Sequence, residues 1–135
     1  MVSAGAERRE MKIYLSGPIT GIENYKDNFN KIASAVRLVG DRVINPAYLD
    51  MVLPADSFHE EFMYICYGLI ELSDAVLLIP GWEDSKGANW EKDYAISRNI
   101  PVYSWEEYEE MCEWEVEYNE HYGDGNDRES TGQAG

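Results

Sequence analysis

The residues best placed to do chemistry lie in one run, Ser85-x-Gly87-x-x-x-Glu91, where a hydroxyl and a glycine enter a helix and a carboxylate follows one turn inside. A helix N-terminus favours negative charge, so Glu91 is expected to stay ionised at neutral pH. An ionised carboxylate at the edge of a sheet is a reasonable nucleophile for the anomeric carbon of a sugar. The alternative is a first-turn acid that only offsets the helix dipole.

A second run, Ser16-Gly17-Pro18-Ile19-Thr20-Gly21, follows a strand and precedes a helix. Its glycines would let backbone N–H groups approach an anion or a sugar, or would simply make a βα turn. It is neither a Gly-Lys-Ser/Thr phosphate loop nor a G-x-G-x-x-G dinucleotide fingerprint. Tyr14, just before it, could orient Glu91 or fill core with a satisfied hydroxyl. Trp82 could stack on a flat base or pack its own loop, and Asn45-Pro46 could contact a ligand or merely stop a strand. His59, Met63 and Cys66 share a helix face at i, i+4 and i+7; Cys66 reads more simply as a buried small hydrophobe than as a reactive thiol. Two histidines and two distant cysteines make no zinc site, and no metal is expected.

These residues need elements to position them. Lys12–Ser16 reads as a buried strand. Tyr25, Phe29, Ile32, Ala33 and Val36 recur at helical spacing, ended by Gly40. Arg42–Asn45 is a short strand stopped by Pro46. Ser57 with Glu60 three residues on predicts a capping box, followed by the apolar stripe Phe62, Ile65, Leu69, Leu72. Ala75–Ile79 is a continuous apolar run, typical of a strand covered on both faces. A helix is expected from about Ala88 to Arg98, a strand at Pro101–Tyr103, and an acidic helix from Trp105 to about Tyr118. In that last helix Trp105, Tyr108, Met111 and Trp114 recur on one side.

The order β-α-β-α-β-α-β-α predicts an α/β fold. Its core is a single doubly wound parallel sheet of four to five strands, a flavodoxin- or Rossmann-like three-layer sandwich with right-handed crossovers. Ligands in such folds bind outside the carboxyl ends of the strands. That rule sets Asp74 aside as structural, because it precedes its strand and lies roughly five residues of ~3.3 Å each from the functional edge.

Composition sets the limits. The 135 residues suit one domain, expected over 11–118, with a disordered leader at 1–10 and a disordered acidic tail at 119–135. A hydrophobic share of 44% against 27% charged excludes wholesale disorder. No apolar run approaches the ~20 residues of a membrane span, and the start lacks a signal-peptide core, so a cytoplasmic protein without membrane association is expected. Eleven Lys and Arg against 26 Asp and Glu give −15. From Trp105 onward eleven acids face Arg128 alone, so that stretch carries −10 and residues 1–104 carry −5. Such a balance argues against a nucleic-acid polymer as partner.

The segments I-Y-L-S-G-P-I-T-G (13–21) and S-D-A-V-L-L-I-P-G-W-E-D-S-K-G-A-N-W-E (73–91), with Ala95, resemble the nucleoside 2-deoxyribosyltransferase-like superfamily. The likeness is strongest to a small phage and bacterial branch and covers about residues 11–104. The resemblance implies an N-glycosidic-bond enzyme acting on a nucleoside or nucleoside 5′-monophosphate, by hydrolysis or deoxyribosyl transfer. Glu91 would be the nucleophile, and Tyr14 its strand tyrosine. Gly17 matches the superfamily's first-loop glycine and Ser85 the serine that helps to hold phosphate; from their own placement Thr20, Gly21 and Gly87 are expected to help cradle sugar or phosphate, and Asn45 and Trp82 to contact the ligand. It implies no cofactor and a homo-oligomer. Many relatives carry an acid on the second helix where this chain has Cys66, which leaves a nucleotide-binding module with weak or no catalysis as the alternative.

Overall fold

Ile13, Tyr14 and Leu15 have no exposed surface, and neither do Ala75, Val76 and Leu77. Two strands that hide both faces must lie in the middle of a covered sheet. The computed structural model, which describes residues 10–112, shows them as neighbours: β1 (Lys12–Ser16) pairs in parallel with β3 (Ala75–Leu78), Ser16 opposite Leu78. The shorter, half-buried strands β2 (Arg42–Ile44) and β4 (Val102–Ser104) take the edges, giving the all-parallel order β2-β1-β3-β4. The sheet therefore has four strands, the lower of the two numbers expected.

Helices α1 (Tyr25–Leu38), α2 (His59–Glu71) and α3 (Lys86–Ser97) make the crossovers. The chain moves one way from β1 to β2 and the other way from β2 to β3 and on to β4. Right-handed crossovers then put α1 on one face and α2 with α3 on the other, and α2 and α3 do pack together. Phe29, Ala33 and Val36 form the buried stripe of α1. On the other face Tyr14, Val76 and Leu78 pack with Cys66, Ile70 and Ala95. Outside that core Tyr67 stacks on Tyr94 at 4.2 Å, and Glu71 accepts hydrogen bonds from Tyr94 and, at 2.6 Å, from Arg98, tying α2 to α3.

Two helix starts differ from expectation. The second helix begins at His59, one residue later than a Ser57 cap gives, because Glu61 rather than Glu60 reaches back to accept from the Phe58 N–H at 2.8 Å. The third begins at Lys86 rather than Ala88, because Ser85 is its cap and accepts from Ala88 N at 3.1 Å. The segment after β2, expected as plain loop, winds into a 3-10 turn over Pro46–Met51. Residues 105–112 are helical; 106–112 belong to a second compact unit, distinct from 10–105. The expected leader apart from Glu10, the expected tail and Trp114 lie outside the described residues. No helix of the described residues is long and apolar enough to cross a membrane.

Asp74 sits where the sequence puts it, at the amino edge, and its carboxylate accepts from the Lys12 N–H at 2.8 Å. Asp41 does the same for Met11 N at 2.9 Å, so two acids hold the start of β1. Asp74→Ala is expected to lower stability by about 1 kcal/mol, the net worth of one such bond, read by chemical denaturation, with ligand binding at the opposite edge unchanged.

Candidate functional site

The direction of chain winding reverses between β1 and β3, and a cleft of about 1120 Å³ opens at the carboxyl ends of these strands. That is the place where doubly wound sheets hold ligands, and the volume is ample for a nucleoside-sized molecule. Glu91 lines it from the sixth position of α3 and is only 7% exposed.

Period-two alternation sends Tyr14 and Ser16 to the same face of β1, and both hydroxyls donate to Glu91. Tyr14 Oη reaches Oε2 at 3.0 Å and Ser16 Oγ reaches Oε1 at 2.6 Å. The Cys66 thiol on α2 is close enough to act on the ionisation of the same carboxylate. A carboxylate offers about four lone-pair directions, so one hydroxyl on each oxygen fixes its plane and still leaves room for a reacting atom.

Burial controls the ionisation here. It pushes the Glu91 carboxyl above its ordinary value, against the downward pull of the hydrogen bonds from Ser16, Tyr14 and Cys66. The sequence assigned its charge to the helix N-terminus, but α3 starts two residues earlier than expected, which leaves Glu91 beyond the first turn where that field acts. Burial and the neighbouring Glu91 push the Cys66 thiol up to about 12 and hold Tyr14 well above the usual phenol range. Both therefore remain protonated donors at neutral pH, and Cys66 is a buried thiol rather than a reactive thiolate.

Of the other residues singled out from sequence, Gly17, Thr20, Ser85 and Gly87 line the cleft with Glu91. Gly17 is there for packing: a Cβ would lie 2.8 Å from Cβ of Ile79, so only glycine lets the ends of β1 and β3 close up. Ser85 already caps α3 with its oxygen, which leaves its hydroxyl hydrogen for a ligand. Three residues stand elsewhere. Asn45 caps the 3-10 turn by accepting from Ala47 N at 3.0 Å and donates to Asn30. Gly21 makes a turn at φ +80. Trp82 is half-buried against the core of the α2–α3 face, with Lys92 Nζ 5.7 Å from its ring.

The tryptophan that lines the cleft is instead Trp90, 42% exposed, with His59 tilted against it at 5.3 Å between ring centres; Tyr25, Phe29 and Phe62 line the same cleft. Ser16 and Asn89 also went unread. Alternation from Tyr14 would have found Ser16. Asn89 shares the two hydrogens of its amide among the carbonyls of Trp82, Glu83 and Ser85, at 3.4, 3.1 and 2.9 Å, and so pins the loop that leads to Glu91. Among the described residues no group of three or more His, Cys, Asp or Glu side chains is arranged to hold a metal ion.

The raised Glu91 has a measurable consequence. The folded state holds this proton more tightly than the unfolded chain does, so the contribution is fully present below the ordinary value of 4.5 and is lost as pH rises through the raised one. Denaturation at a series of pH values is expected to show that decline in the parent protein. Glu91→Gln should abolish it, and Tyr14→Phe, which removes a bond to the charged form, should extend it to higher pH.

No curated protein matches the chain. Residues 11–104, which include every side chain described around Glu91, match the model of the domain of unknown function DUF4406, and the chain belongs to that family.

Proposed function

We propose that the cleft binds a nucleoside or nucleoside 5′-monophosphate and cleaves its N-glycosidic bond, by hydrolysis or by deoxyribosyl transfer. The observation that carries this reading is Glu91, a carboxylate buried at the floor of the cleft with each oxygen held by a hydroxyl. A buried carboxylate with a hydroxyl on each oxygen suits attack on an electrophilic carbon better than it suits a surface ion pair. The resemblance of 13–21 and 73–91 to the nucleoside 2-deoxyribosyltransferase-like superfamily supports the same choice of bond.

In the first step an oxygen of Glu91 attacks the anomeric carbon as the carbon–nitrogen bond breaks. The base leaves with the bonding electrons and takes a proton from water or from a donor in the cleft. In the second step water, or a nitrogen of an acceptor base, attacks the same carbon and frees Glu91. Two inversions give net retention. Tyr14 and Ser16 hold the carboxylate in line throughout, and burial keeps it more basic than an exposed glutamate. Trp90 and His59 offer the flat faces on which a base stacks. The mechanism calls for no metal or organic cofactor. A homo-oligomer belongs to the same proposal.

One feature favours a second reading. Cys66 stands beside Glu91 as a neutral thiol, and a thiol pushed up to about 12 is a poor general acid. A protein that binds nucleotides in this cleft without efficient turnover would have the same geometry.

Chromatography of free base released from a panel of nucleosides and their monophosphates, with and without an acceptor base, separates these readings. Base release that falls by roughly a thousandfold or more in Glu91→Gln is expected; equal release by that variant sinks the mechanism. Saturable binding with no product over hours selects the binding module. Trp90→Ala is expected to weaken binding by about 1–3 kcal/mol, the usual worth of stacking one base on an aromatic ring, measured by calorimetry.

A further inference from the structure

Deepening that reading of the cleft, and resting on it, we infer that its ligand is an unphosphorylated nucleoside and that the charge around the cleft excludes the 5′-monophosphate. A phosphate monoester brings about −1.5 to −2 charges at neutral pH and is ordinarily met by arginine forks or several cations. The distribution of arginines runs the other way. Among the described residues Arg37 is in the last turn of α1, Arg42 opens β2 and pairs with Glu10 at 3.4 Å, and Arg98 caps the end of α3 and pairs with Glu71 at 2.6 Å. In a parallel sheet with helical crossovers, helix C-termini and strand starts share the amino edge. All three arginines therefore lie on the edge opposite the cleft.

The charged residues that do line the cleft are Asp50, Asp84 and Glu91 against Lys86, with His59 beside them. Lys26 pairs with Asp50 at 3.0 Å and offsets its charge. Even with that pair set to zero, Asp84 and Glu91 outnumber Lys86. The α3 N-terminus has one donor fewer for an anion, since its Ala88 N–H is already taken by Ser85 Oγ. Residues 1–104 carry −5 in all, so the longer-range field has the same sign. A neutral nucleoside pays no such repulsion and keeps a 5′-hydroxyl donor that a carboxylate can accept.

Calorimetric titration of the whole chain with deoxyadenosine, deoxyguanosine, deoxycytidine and thymidine, each against its own 5′-monophosphate, tests this. At least one nucleoside is expected to bind about tenfold or more tightly than its monophosphate at low salt. The gap should narrow near 0.5 M sodium chloride, where roughly 4 Å of screening length remains. Asp84→Asn should narrow it from the monophosphate side. A monophosphate that binds as tightly as its nucleoside overturns the inference, and so does a preference that neither salt nor Asp84→Asn changes. Base release from the same mixtures separates the two proposals. Nucleoside preference without base release leaves this inference standing and removes the glycosidase. Base release from monophosphates alone does the reverse. Binding of neither class removes both.

Discussion

A carboxylate buried between a helix and a strand is expensive unless its oxygens are satisfied, and the pairing of Glu91 with Tyr14 and Ser16 meets that condition. The two hydroxyls come from alternate positions of β1, and the carboxylate comes from the second turn of α3. The bonds therefore set how far α3 advances along the sheet. They also set where the loop from Gly81 to Ser85 must end. Asn89 gathers that loop from inside the same helix, and Gly17 removes the side chain that would hold β1 away from the end of β3. Cleft shape and carboxylate position are thus parts of a single packing solution.

The same interaction sets the electrostatics. Tyr14 and Cys66 are both kept protonated by burial and by Glu91 itself, and Tyr14 then donates to the group that keeps it so. In a low-dielectric site this reciprocity strengthens each bond, and removing one partner leaves the others undersatisfied. A carboxyl pushed up by burial yet held by a hydroxyl on each oxygen stays in one orientation and gains basicity. Both properties serve a nucleophile, whereas an acid that only offsets a helix dipole needs neither and would sit in the first turn facing water.

Much of this was legible in the chain. The continuous apolar runs at 12–16 and 75–79 announce central parallel strands, and the alternation with helical stripes yields the doubly wound sheet. The carboxyl-edge rule then sorts Glu91 and Ser85 from Asp74 without coordinates. What escaped was decided by geometry finer than pattern. Position in the loop before Ser85 singles out Trp82 as a stacking residue, but Trp82 packs against the α2–α3 core while Trp90 lines the cleft. The side chain of Asn45 is engaged in capping the turn that follows it, a role that the strand-stopping Asn-Pro pair does not reveal by pattern. Cap choice slipped by one residue at α2 because serine propensity at 57 competes with the reach of Glu61 to Phe58, and only the backbone path decides between them.

The amino and carboxyl edges of the sheet are chemically sorted, and the sorting has a physical origin. Helix C-termini favour cations, so Arg37 and Arg98 complement the ends of α1 and α3. Asp41 and Asp74 at the same edge answer backbone N–H groups of β1. Stability thus holds Arg37 and Arg98 away from the cleft, which among the described residues is left with one lysine among carboxylates. A guanidinium used at a helix end is not available to the opposite edge, so the charge of the cleft and the stability of the helix ends are linked through one distribution of arginines. Moving an arginine into the cleft would change both, because the helix end it vacated would lose its counterion.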